Sequence, residues 1–345
     1  MSEMMDRFRE EVYTVPQMFF NSARNFPERP ALKFYEDDEW QVMTWAEFEQ
    51  AVRLVGNGLL ALGLEKGNCV ALMAHTSHRW AWADMAIQAV GGITVCIYPS
   101  LTSKETIYIG NNAQPYLFIT GDPATAERIY SIKNELKGLK AVICLEKGFE
   151  GNGEDLLSMD YVMELGRDYE AKNPDHFDKR YQELTGDDGC TVIYTSGTTG
   201  ALKGVFYTQR ELILGLEQSI RYCEMGGYPL TYEGVSLNVL PLSHVWERVD
   251  SYMGQLVSGG CMGFARSPQT LIEDLQVIKP TWLLLVPRLW SRVYTGIERT
   301  FCATEEGKKA FEWAIDVGLK SIDYYTDERG GLNLLPLHNL TWPEG

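Results

Sequence analysis

The sequence predicts an α/β fold, with two α/β subdomains built on largely parallel sheets, and three observations carry that expectation. Short, nearly continuous apolar runs alternate with helix-length segments, as strands do when helices cover both faces of their sheet. Reciprocal capping pairs, a Thr followed three residues later by Glu, mark the start of three of those helices. A chain of 345 residues that is 45% hydrophobic can bury cores for about two domains.

The first capping pair is Thr44 and Glu47, after which Phe48, Val52, Val55, Leu59 and Leu62 recur at intervals of three and four until Gly63 stops the run. An apolar run at 69–74, a helix at 77–90, a β-branched run at 93–98, a second capping pair at Thr102 and Glu105, and a run at 116–120 follow. A helical stretch at 123–136 then leads into a run at 141–145, which completes a first subdomain over 1–147. The charged and Gly/Asn-rich residues 148–188 read as a connecting excursion. A second subdomain over 189–345 resumes with strands at 190–194 and 204–207, a Gly/Thr loop between them, and a helix from Thr208 capped by Glu211. Later segments are a run at 235–240, a helix after Ser267-Pro268 with Leu271, Ile272, Leu275 and Ile278 inward, a run at 282–286, and a long helix at about 304–325. The sequence holds no internal repeat.

Basic residues number 31 against 47 acidic ones, a net charge of −16, and no Lys/Arg cluster offsets it. Such a field repels nucleic acid and anionic surfaces, so nucleic acid is excluded as a partner and any anion must meet a local site. The seven cysteines show no metal or redox spacing, the nearest two, Cys69 and Cys96, being 27 positions apart. They read as buried thiols of a reducing compartment. Residues 1–11 lack an apolar signal core, and no run reaches the roughly 20 uncharged apolar residues of a spanning helix. The run at 80–98, the nearest to one, carries Asp84. A cytoplasmic protein is expected.

One dense segment carries chemistry: Tyr194-Thr195-Ser196-Gly197-Thr198-Thr199-Gly200-Ala201-Leu202-Lys203-Gly204. Gly197 and Gly200 can take positive φ and turn successive backbone N–H groups into one concavity. Four hydroxyls, on Thr195, Ser196, Thr198 and Thr199, add donors, and Lys203 adds a mobile positive charge. Together they suit a polyphosphate. The common nucleotide motif G-x-x-x-x-G-K-[ST] is not met, since Gly204 follows the lysine. A hydrolase is not indicated by Ser243 beside His244, because no G-x-S-x-G elbow exists. His75 and His78 lack a third metal ligand, and no metal site is expected.

Residues 191–205 resemble the phosphate-binding signature of the adenylate-forming (AMP-dependent synthetase and ligase) family, YTSGTTGxPKGV, with Leu202 where proline is usual. Residues 240–249, LPLSHVWERV, are similar to the LPLSHVFER stretch of long-chain fatty acid:CoA ligases. Residues 280–290 resemble their PTxxxxVPRLWE segment, with Ser291 in place of the Glu. The N-terminal half also fits in outline, through Thr44-Trp45-Ala46-Glu47, Gly67-Asn68-Cys69-Val70 and Ile97-Tyr98-Pro99-Ser100.

The resemblance implies that a fatty acid carboxylate attacks the α-phosphate of ATP in the presence of Mg2+, giving acyl-AMP and pyrophosphate, and that coenzyme A then displaces AMP. It implies that Thr195, Ser196, Gly197, Thr198, Thr199, Gly200 and Lys203 hold the β- and γ-phosphates. His244 is implied as the catalytic residue that orients the carboxylate, although on the residues alone a histidine after Pro-Leu-Ser reads as a structural side chain. Trp246 is left to line the acyl tunnel or to fill core. The family's adenine loop, YGxTE segment, ribose-binding Asp and small C-terminal domain are not found, so the chain is expected to be an N-terminal fragment, inactive alone and missing its C-terminal partner. Peripheral membrane contact for acyl delivery and a homodimer are further expectations. Two alternatives stay open: a short non-catalytic nucleotide- or acyl-binding module, and a ligase for another carboxylic acid.

Overall fold

The apolar runs assemble into two sheets that share one hydrophobic core in a computed structural model, which describes residues 14–196, 202–225 and 230–325. Eleven strands occur among the described residues: β1 (Pro30–Glu36), β2 (Glu39–Thr44), β3 (Cys69–Met73), β4 (Ile93–Cys96), β5 (Leu117–Thr120), β6 (Ala141–Cys144), β7 (Leu156–Ser158), β8 (Gly189–Ser196), β9 (Leu202–Thr208), β10 (Val235–Asn238) and β11 (Cys261–Phe264). The larger sheet has the order β7-β6-β5-β3-β4-β8-β9 and is parallel except for β9, which returns antiparallel beside β8. The smaller sheet has the order β10-β11-β1-β2, with β1 and β2 as an antiparallel hairpin.

This topology corrects the expected division into consecutive subdomains 1–147 and 189–345. Each sheet takes strands from both sides of residues 148–188: β8 joins β4, and β11 joins β1. The units are interleaved sheets. Nor are residues 148–188 a bare connection, because they contain β7 and the helices Met159–Lys172 and His176–Gln182. Their charged faces hide the pattern in the sequence, while Met159, Val162, Phe177 and Tyr181 bury the other face. The hairpin of β1 and β2 also escapes the sequence reading. It turns on Asp37 and Asp38, both left-handed with φ of 52° and 63°, a geometry that Asp tolerates better than most residues.

The capping pairs form as expected. The Thr44, Thr102 and Thr208 amides donate to Glu47, Glu105 and Glu211 at 2.7, 2.8 and 2.8 Å. The two sheets are also joined by charge, since Glu36 at the end of β1 accepts from Arg79 Nε at 3.3 Å, and Phe34 stacks on His78 at 3.6 Å between centroids. His78 is thus occupied structurally. Among the described residues no helix is long and apolar enough to cross a membrane.

The helices Trp45–Ala61 and Met159–Lys172 cross at glycines. A Cβ on Gly58 would lie 2.1 Å from the Val162 carbonyl oxygen, and one on Gly166 would lie 1.9 Å from that of Leu54. Both backbones would have to separate to admit a methyl group. Gly166→Ala is therefore expected to lower stability by about 1–3 kcal/mol, read from the midpoint of urea unfolding, whereas Ala at the open position Gly215 gives no loss.

Candidate active site

The polyphosphate segment occupies the end of the β8–β9 hairpin. Thr195 pairs with Lys203 and Ser196 with Leu202, and directly paired residues project from the same face of a sheet. The Thr195 and Lys203 side chains, both exposed, therefore share one face beside residues 197–201. Gly197, Thr198, Thr199 and Gly200 of the expected cradle lie outside the described residues, as does the side chain of Ser196. Because β8 runs parallel to β4, with Cys96 opposite Ile193, the segment leaves the same sheet edge as residues 97–100. Ligands of open α/β sheets bind at that carboxyl edge.

A second turn is pinned against the same edge. Thr76, just beyond β3, donates its hydroxyl to the Leu240 carbonyl at 2.8 Å and accepts the Leu242 amide at 2.9 Å. The His244 amide donates to the Pro241 carbonyl at 2.9 Å, which closes the turn. The Trp246 amide donates to His244 Nδ1 at 3.2 Å. A backbone N–H can only donate, so in the neutral ring Nδ1 is the acceptor and the proton sits on Nε2. His244 is exposed, which leaves that Nε2–H available to a carboxylate oxygen. Trp246 is 41% exposed and does not fill core.

Between the start of the His244 turn, at Leu240 and Pro241, and the smaller sheet lies a cavity of about 540 Å³, within the usual range of small-molecule sites; Thr195, Lys203, His244 and Trp246 are not among its lining residues. Its wall comes from the carboxyl ends of β3 (His75, Thr76), β4 (Tyr98, Ser100) and β10 (Asn238, Val239), with Arg266 and Leu289 opposite. The Arg266 charge is already matched, since Nε contacts Asp274 at 2.6 Å and Nη2 contacts Glu273 at 2.7 Å.

Behind the His244 turn the chain winds into a π-helical segment, Glu247–Met253, whose first two residues are fully buried ionisable groups. Arg248 Nη2 pairs with Asp84 of the helix His78–Ala89, and both side chains have zero exposure. Arg248 Nη1 donates to Thr191 Oγ1 of β8 at 2.6 Å and to Cys96 Sγ of β4 at 2.7 Å. The Thr191 hydroxyl donates in turn to the Thr94 carbonyl at 2.6 Å. Cys190 donates to Gln88 Oε1 at 2.9 Å, and Gln88 donates to Asp84 at 2.9 Å. Burial pushes the Cys190 thiol up, so it remains a neutral donor. Burial also pushes the Asp84 carboxyl up, against the pull of the Arg248 charge, while that pairing keeps Arg248 cationic. The sequence reading assigned no role to this cluster. Its one signal was Asp84 within the run 80–98, a charge that must find a partner once buried.

Glu247 has zero exposure, and neither carboxyl oxygen has a hydrogen-bond partner of good geometry among the described residues. Burial pushes its pKa up to about 9, with the nearby Val239 backbone pulling the other way. The folded state therefore holds this proton while the unfolded chain releases it near pH 4.5. Between about pH 4.5 and 9 the unfolded state binds fewer protons, so this group lowers stability as pH rises and its effect levels off above about 9. Glu247→Gln is expected to gain up to about 3 kcal/mol at pH 7 over the wild type and almost nothing at pH 4. Urea unfolding at a series of pH values checks both ends of that window.

Comparison with known proteins gives the same outline. The model of the AMP-binding enzyme family matches residues 19–325. The chain is 27% identical over 317 residues to the long-chain-fatty-acid–CoA ligase ACSBG1 of Rattus norvegicus, covering 89% of the chain and 43% of that protein. It is 29% identical over 320 residues to ACSBG2 of Homo sapiens (90% and 46%), and 29% identical over 296 residues to FadD15 of Mycobacterium bovis (85% and 47%). The chain thus spans under half the length of these relatives. Among solved structures, the anthranilate CoA ligase AuaEII in complex with anthranoyl-AMP shares the fold at a TM-score of 0.65 and 20% identity, over 82% of this chain and 51% of that one. The adenylation domain of a carboxylate reductase from Mycobacterium chelonae does so at 0.64 and 20%, over 87% and 50%. With the family model matching most of the chain and the fold shared, the chain belongs to the AMP-binding enzyme family of adenylate-forming ligases.

Proposed function

We propose that this chain is the N-terminal part of an ATP-dependent ligase that activates a long-chain fatty acid as acyl-AMP and transfers the acyl group to coenzyme A. The observation that carries the reading is the shared sheet edge: the segment around Thr195 and Lys203 and the neighbouring strand ends that line the 540 Å³ cavity leave the larger sheet on the same side. The names of the relatives supply the fatty acid.

In this reading MgATP enters as substrate. The hydroxyls of Thr195, Ser196, Thr198 and Thr199, the N–H groups of Gly197 and Gly200, and the Lys203 ammonium hold its β- and γ-phosphates. The His244 Nε2–H donates to one carboxylate oxygen, and the other attacks the α-phosphorus. The bond from that phosphorus to the bridging oxygen breaks, and pyrophosphate leaves. The thiol of coenzyme A then attacks the acyl carbonyl and expels AMP, losing its proton to solvent. Trp246 borders the acyl group. Positioning and charge neutralisation carry most of the rate, because the transferring group needs little from the protein beyond these. The seven unpaired thiols support a cytoplasmic setting.

Lys203→Ala, in the protein expressed from the complete reading frame, is expected to lower fatty acid-dependent pyrophosphate exchange at least about 100-fold, as loss of one group that stabilises developing transition-state charge does. Exchange at the wild-type rate would refute the assignment of the loop. The 345-residue chain alone is expected to form no acyl-CoA from palmitate, MgATP and coenzyme A, whereas the complete protein does so. Turnover of anthranilate in preference to palmitate would move the substrate to aryl acids. ATP binding without turnover by the complete protein would favour a non-catalytic module.

A further inference from the structure

We infer that Arg248 is a positioning residue that couples the His244 turn to the strand feeding the phosphate segment, so that nucleotide seated on that segment is felt at His244 and Trp246. The inference rests on the ligase reading and goes beyond it, because Arg248 contacts no substrate in that reading.

Stability alone does not account for a buried Arg–Asp pair, since well-packed apolar residues of similar volume often serve as well or better. What the guanidinium supplies is a rigid fork with several donors in fixed directions. Here the fork reaches three elements: Asp84 on the helix His78–Ala89, Cys96 on β4 and Thr191 on β8. The Thr191 hydroxyl cannot rotate freely, because it accepts from Arg248 while donating to Thr94. Thr191 and Ser196 belong to the same strand, which carries a displacement to the loop beyond it. On the other side, the Arg248 amide donates to the His244 carbonyl at 3.1 Å.

The π-helical segment that carries Arg248 also holds the cavity wall. Ser251 donates to Asn238 Oδ1 at 2.6 Å, and Asn238 lines the cavity. One seven-residue segment therefore touches the histidine turn, the phosphate strand and the cavity. Such irregular turns recur at functional sites because the wider winding redirects side chains that a regular helix would stack. A movement of β8 on nucleotide binding reaches the turn through a single hydroxyl-to-guanidinium bond, which makes that bond testable by itself.

The test uses protein from the complete reading frame labelled with 5-fluorotryptophan, its Trp246 fluorine resonance assigned by Trp246→Phe. MgATP affinity is measured in parallel by calorimetry. Saturating MgATP is expected to move the Trp246 resonance in the wild type and in Thr191→Ser, which keeps the hydroxyl. In Thr191→Val and Arg248→Lys the movement is expected to shrink at least about threefold while affinity stays within about threefold. A merely structural role would change stability and leave the movement intact. Full movement in Thr191→Val would overturn the coupling, and that mild variant decides the matter where Arg248→Lys fails to fold. No movement in a wild type that binds MgATP would overturn it as well. A wild type that binds no MgATP would instead refute the ligase reading, and the coupling with it.

Discussion

The guanidinium of Arg248 is the constraint around which the site is arranged. It is wholly buried, and its bonds end on a helix and on two neighbouring strands of the larger sheet. A charge in that position cannot tolerate loss of its partner, for an unpaired buried charge typically costs about 3–5 kcal/mol. The cluster is therefore closed, running from the Cys190 thiol through Gln88 and Asp84 to Arg248, Thr191 and the Thr94 carbonyl. The Cys190 thiol, the Gln88 amide, both Arg248 Nη groups and the Thr191 hydroxyl each donate within that chain, which fixes rotors that would otherwise be free, while Arg248 Nε has no hydrogen-bond partner among the described residues.

From this anchor the rest of the edge follows. The parallel pairing of β8 with β4 sends the phosphate segment out beside residues 97–100, while Thr76 ties the His244 turn to the end of β3. The cavity lies where the strand ends of the two sheets face one another. On the proposed reading, an acidic protein of net charge −16 offers an anion site by local means: backbone N–H groups, hydroxyls and one lysine act over a few ångströms, inside the distance at which salt screens the distant carboxylates. Glu247, kept neutral by burial, adds no negative charge behind the His244 turn.

Much of this was legible in the sequence. Capping pairs at Thr44, Thr102 and Thr208 placed three helix starts correctly, because their determinants lie within four residues. The apolar runs that became β3 to β6 were equally visible, since strands buried on both faces need no polar alternation. The hairpin β1–β2 was not, as its turn depends on two aspartates accepting left-handed backbone. The helix Met159–Lys172 was hidden by its charged outer face, and the helix Pro287–Phe301, between the run at 282–286 and the long helix from about 304, was not read.

By itself, then, the sequence determined the helix starts at Thr44, Thr102 and Thr208, the runs of β3 to β6 and the α/β class, and it singled out the segments 194–204 and 240–249, because each is written in neighbouring residues. Only the tertiary structure decided that the chain weaves two interleaved sheets where the sequence suggested two halves in succession. It alone decided that Asp84 meets Arg248 across 164 positions and that Arg248 meets Thr191 across 57. Burial supplies the reason. A lone aspartate in an apolar run announces that it needs a partner, but the partner is chosen by which strands lie side by side, and no local pattern of residues records that choice.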